Sequence, residues 1–89
     1  MIYKYNIKPY NSPEYFDLAC EEIEKAYPEA KKEKLLIDVD GSTIQIYYTK
    51  AGMIKIYDEY FIDAVFADAD FLIPQESKLG KLFILTSYS

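Results

Sequence analysis

The chain has 89 residues, 51% apolar and 17% aromatic, which predicts one folded domain, residues 1–89, with an efficient core rather than a disordered segment. Fifteen acids stand against ten lysines for a net charge of −5, and neither arginine nor histidine occurs. Without histidine there is no Ser-His-Asp or Cys-His nucleophile system and no usual zinc site. Without arginine, and with net acidity, direct binding to a nucleic-acid backbone is not expected.

Residues 2–8 alternate, with Tyr3, Tyr5 and Ile7 on one side and Lys4, Asn6 and Lys8 on the other, the period of a half-buried strand that Pro9 ends. Ser12-Pro13-Glu14 then reads as a helix start, with Ser12 as the cap and Pro13 at the first helical position, where its missing N–H costs nothing. Phe16, Ala19, Cys20, Ile23, Ala26 and Tyr27 fall on one apolar stripe, and Glu14, Asp17, Glu21 and Glu24 fall beside it. The lone Cys20 lies on that stripe and reads as a small core residue; a single cysteine permits no intrachain disulfide. Pro28 should end the helix.

Residues 35–39 and 43–48 flank Asp40-Gly41, a strong short hairpin signal. A two-residue loop there would place Ile37 opposite Ile44 and Leu35 opposite Ile46, with Val39 and Tyr48 on the same face. A second hairpin, with the three-residue loop Lys50-Ala51-Gly52, would set Ile54 opposite Tyr48 and Ile56 opposite Ile46. These registers send Tyr47, Tyr57 and Phe61 to the sheet face opposite the helix. Residues 61–67 fit a strand, pairing Ile62 with Ile56, Ala64 with Ile54 and Asp63 with Lys55, and also fit a short helix that gathers Phe61, Ala64 and Val65. Residues 74–80 read as a loop, and Leu82–Leu85, apolar on both sides, as a central strand or one whose outer face is covered. The expected fold class is α+β: an antiparallel sheet of about five to six strands with one amphipathic helix on one face.

The sequence Leu35-Leu36-Ile37-Asp38-Val39-Asp40-Gly41-Ser42-Thr43 resembles the first motif of the haloacid dehalogenase family, an apolar strand leading into D-x-D-G-T. The resemblance implies a phosphoryl-accepting nucleophile at Asp38 and a general acid/base at Asp40, both beside magnesium; Ser42 stands where that family has threonine. The family's sheet is parallel and doubly wound, much longer than this chain, whereas the alternating residues here predict a hairpin. Asp38-x-Asp40 and Asp68-x-Asp70 also offer oxygens to a hard cation, but neither has the spacing of a calcium loop. No cofactor or metal site is expected.

Eleven of the fifteen acids sit in two stretches, residues 14–24 and 58–76, the second without a cation. Clustered carboxylates can steer a cationic partner or imitate a phosphate backbone, and tyrosines can supply the desolvated centre of an interface. The expected function is therefore an acidic protein-binding module of the inhibitor, immunity or antitoxin type. Its partner would be a basic protein, such as a nuclease or other nucleic-acid-binding protein. The candidate contact residues are Asp17, Glu21, Glu24, Tyr47, Tyr57, Asp63, Asp68 and Asp70. A homodimer or assembly subunit is the second reading, and a metal-dependent phosphatase the third. No run suits a membrane span, and Met1–Tyr5 lacks the apolar core of a signal peptide, so a cytoplasmic location is expected.

Overall fold

A computed structural model describes residues 1–89. The elements follow in chain order: strand β1 (Tyr3–Lys8), helix α1 (Pro13–Ala26), the short strands β2 (Lys31–Lys32) and β3 (Leu36–Ile37), then β4 (Thr43–Tyr48), β5 (Met53–Glu59) and β6 (Ala64–Ala69), the short helix α2 (Lys78–Leu82), and β7 (Ile84–Tyr88). All strand pairs are antiparallel, in the order β2-β4-β5-β6-β1-β7, with β3 beside β4 further along the edge that β2 occupies. The α+β class is as the sequence predicts, with a second, short helix added. No helix is long and apolar enough to cross a membrane.

Both helices cover one sheet face, and the core lies between the layers. Phe16, Ala19, Cys20 and Ile23 of α1 and Leu79 of α2 bury there against Tyr5, Ile54, Ile56, Val65 and Ala67 of the sheet. Each fully buried isoleucine contributes roughly 1.5–3 kcal/mol by area. Ser12 caps α1 as predicted, its Oγ accepting from Tyr15 N at 3.2 Å. Ala26, expected on the stripe, is exposed because the helix ends at that residue.

The helix start is also tied to the sheet: Ser12 N donates to Asp58 Oδ1 at 3.0 Å and Asn11 N to Asp63 Oδ1 at 2.9 Å. Asp58 is only 3% exposed, and burial, reinforced by Asp17 and Asp63, raises its carboxyl pKa against the lowering effect of the Ser12 N–H. A raised acid pKa means that the unfolded chain releases this proton first, so stability falls as pH climbs from about 3.9, the unfolded value, through the folded one. Asp58→Asn keeps an oxygen for Ser12 N–H and removes the buried charge. Thermal melts are expected to show this variant a few degrees more stable at pH 7 and without gain below the unfolded pKa; an equal or lower melting point at pH 7 would contradict this.

Both hairpins form, each one residue away from the expected register. In the first, Leu36 faces Ile44 and Ile37 faces Thr43, which leaves the three-residue loop Val39-Asp40-Gly41. Gly41 N donates to Asp38 O at 3.0 Å and Gly41 has φ +90°, so the loop ends in a left-handed glycine. In the second, Tyr48 faces Met53, Tyr47 faces Ile54 and Gln45 faces Ile56. Thr49 and Gly52 exchange both backbone hydrogen bonds, and Thr49 Oγ1 accepts from Ala51 N and Gly52 N, so the loop is Lys50-Ala51 alone. A one-residue slip exchanges faces. Tyr47 and Gln45 therefore enter the core side, and Ile44, Ile46 and Tyr48 move to the open face.

Residues 64–69 form a strand, three residues later than the expected start. Asp63 takes φ +59° in the preceding turn, and Lys55 pairs with Asp68 instead of Asp63. The expected strand at Leu82–Leu85 is also displaced: Leu82 ends α2, Phe83 is buried as its cap, and β7 is an edge strand. Gln75 covers part of that edge, with Nε2 donating to Phe83 O at 3.0 Å and Oε1 accepting from Leu85 N at 3.2 Å.

Candidate functional site

The two layers carry different chemistry. On the helix side, Asp17 and Glu21 are one turn apart on the exposed flank of α1, and neither is within bridging distance of a lysine. Below them, β2 and β3 are separated by Glu33–Leu35, where the edge of the sheet opens. Glu33 N donates to Ile46 O at 2.9 Å, and Gln45 reaches into the break with Nε2 donating to Glu33 O at 2.6 Å and to Ile46 O at 3.3 Å. A groove of about 440 Å³ runs between α1 and this break, with Phe16, Cys20 and Gln45 at its base and Asp17, Glu21 and Glu33 along its sides.

Glu24 and Lys32 close the same groove as a pair, 3.2 Å apart. The Tyr47 hydroxyl donates to Glu24 Oε2 at 2.5 Å, and this bond, followed by Lys32, lowers the Glu24 carboxyl pKa. Tyr47 itself is fully buried, and burial together with the Glu24 carboxylate pushes its hydroxyl pKa up. Burial raises the Cys20 thiol to about 11, so at neutral pH it is a protonated core group rather than a nucleophile.

The opposite sheet face is covered by neither helix. A row runs straight across it through Leu36, Ile44, Tyr57, Phe66, Asn6 and Ile84, each paired with the next on the neighbouring strand. The rings of Tyr57 and Phe66 stack with centroids 4.6 Å apart. The next row is Ile46, Lys55, Asp68, Lys4 and Ser87, with Lys4 Nζ 3.4 Å from Asp68 Oδ1. Ile37, Val39, Phe61 and Ile62 add exposed apolar side chains at one end of the sheet.

The expected contact residues are thus not one surface. Asp17, Glu21 and Glu24 lie on the helix side, with Glu24 bound internally. Tyr57 and Asp68 share the open face, and Tyr47, expected there, is in the core because of the register slip. Phe61 is 90% exposed in the turn before β6 rather than on a strand. Asp63 is used at the helix start, and Asp70 Oδ1 accepts from Met53 N at 2.8 Å, closing the end of the sheet. Sequence reading missed Gln45 and Glu33, whose proximity to α1 depends on the break between β2 and β3; the only local hint is the change from the lysine-rich run to Leu35.

Asp38 and Asp40, the residues of the phosphatase-like motif, lie in the exposed hairpin loop. Asp38 Oδ1 accepts from Val39 N at 2.7 Å and Asp40 Oδ1 from Ser42 N at 2.9 Å, so both carboxylates fold the turn. The sheet that carries them is antiparallel, and no group of three acidic or sulfur ligands converges as a metal site. No protein-family model, no curated protein and no solved structure matches the chain.

Proposed function

We propose that the chain is a small acidic protein-binding module of the inhibitor, immunity or antitoxin kind. It acts in the cytoplasm and docks its helix-side carboxylates on a basic protein, such as one that itself binds nucleic acid. The observation that carries this reading is that Asp17 and Glu21 stand exposed and unneutralised above a groove that also presents Glu33. Across the whole chain, ion pairs engage only Glu22, Glu24 and Asp68 of the fifteen acids. Such one-sided charge speeds the encounter with a cationic partner and rejects anionic ones, more than it adds raw affinity.

Affinity capture from cells that encode the chain, at low and at high salt, tests the reading. One basic protein retained stoichiometrically at low salt and released at high salt is the expected result. Recovery of an acidic partner indifferent to salt would overturn it. A second reading, self-association, is favoured by the apolar row Leu36, Ile44, Tyr57, Phe66 on the uncovered sheet face. It would be supported in the same experiment by recovery of the bait alone, together with a sedimentation mass that rises with concentration.

A further inference from the structure

We propose that the groove between α1 and Glu33–Leu35 receives an arginine side chain of the partner protein. This rests on the acidic-module reading and names the contact through which it works. The acids alone would not locate such a contact; Gln45 does. It is 2% exposed, and its Nε2 is committed to Glu33 O and Ile46 O, while its Oε1 accepts no hydrogen bond from the protein. No side-chain oxygen or nitrogen without a partner is fully occluded, so Oε1 keeps a little exposure, and it does so in the groove that Gln45 lines. A buried carbonyl oxygen without a donor, at the base of an acid-walled groove, calls for a donor-rich cation.

The chemistry of the walls favours guanidinium. Phe16 and Leu35 offer apolar surface for the methylene stem of the incoming side chain. Asp17, Glu21 and Glu33 surround the groove with acceptors that no lysine of this chain bridges, since Lys32, the one cation there, is drawn to Glu24. Guanidinium carries five N–H donors in a fixed plane and can serve a carboxylate and the Gln45 oxygen together; an ammonium has three donors around one point and is more strongly hydrated.

The test is a titration of the ¹⁵N-labelled full chain with hexa-arginine and, separately, hexa-lysine peptide at low salt, followed by two-dimensional NMR. Expected are the largest shifts at the Gln45 side-chain amide and the Cys20 and Glu21 backbone amides, at least several-fold tighter binding of hexa-arginine, and about tenfold weaker binding in Asp17→Asn/Glu21→Gln. Both substituted side chains are exposed, so this variant should fold. Binding with shifts confined to acids outside the groove would overturn the groove proposal and leave the acidic-module reading standing. Equal affinity for the two peptides would overturn the choice of arginine. Absence of binding by either peptide would overturn the groove proposal, and capture of a salt-released basic partner would then show whether the broader reading survives.

Discussion

Gly80→Ala is expected to lower stability by about 3 kcal/mol and the melting temperature by roughly 10–20 °C. Helix propensity alone predicts the opposite sign, because alanine is favoured over glycine within a helix by about 1 kcal/mol. Close packing decides against it. A Cβ at this position would sit 2.1 Å from Pro74 O, 2.6 Å from Gln75 Cα and 2.8 Å from Gln75 C, all backbone atoms that no rotamer change can move aside. The segment that would have to yield also carries the Ser77 cap of α2, whose Oγ accepts from Gly80 N at 3.0 Å, and the Gln75 amide that covers the edge of β7. On a domain with a total stability of about 5–15 kcal/mol, such a loss is large. A melt followed by circular dichroism gives the answer, and a melting point at or above wild type would show that α2 does not pack this closely against residues 74–75.

Replacing Tyr47 measures the register of the sheet. With Tyr47 on the open face, as the alternation of β4 suggests, Tyr47→Ala would cost under about 1 kcal/mol. In the core, where it is fully buried, the expected loss is about 4 kcal/mol. Tyr47→Phe keeps the ring and removes only the hydroxyl bonded to Glu24, at an expected cost of about 1.5–2 kcal/mol. Part of that cost depends on pH. The Glu24 carboxyl pKa is lowered in the folded chain, so its stabilisation is present above the unfolded pKa and is lost as pH falls through the folded one. In Tyr47→Phe only Lys32 sustains that lowering, and the acid-side loss of stability should become shallower. Urea unfolding of both variants at neutral and acid pH checks this; a small effect of Tyr47→Ala would return Tyr47 to the surface.

These two sites also mark how far the sequence could be read. The helix is legible to within a residue, because Ser12, Pro13 and Pro28 fix its ends chemically and the stripe fixes its buried face. Hairpin positions are legible from Asp40-Gly41 and Gly52, but register is not. It depends on whether Thr49 or Tyr48 begins the turn, and the Thr49 hydroxyl settles that through bonds to Ala51 N and Gly52 N. The start of β6 is hidden for a similar reason: its turn places Asp63 in the left-handed region, where glycine would have been the signal.

The candidate site shows the same division. Asp17 and Glu21 are visible as acids one turn apart beside an apolar stripe, which is a local property of the helix. That Asp63 and Asp70 serve backbone N–H groups is tertiary, as is the approach of Gln45 and Glu33 to α1 across the broken edge. Composition supplied the charge; only the fold separates the acids on the helix side from the apolar row on the sheet side.

The most direct test of the acidic-module account is the dissociation constant of the captured partner for wild type and for Asp17→Lys/Glu21→Lys, measured across a salt series. The account predicts wild-type affinity that weakens steeply as salt rises and, at low salt, binding at least tenfold weaker in a charge-reversed variant that still melts cooperatively. Equal affinities for the two proteins, unchanged by salt, would contradict it.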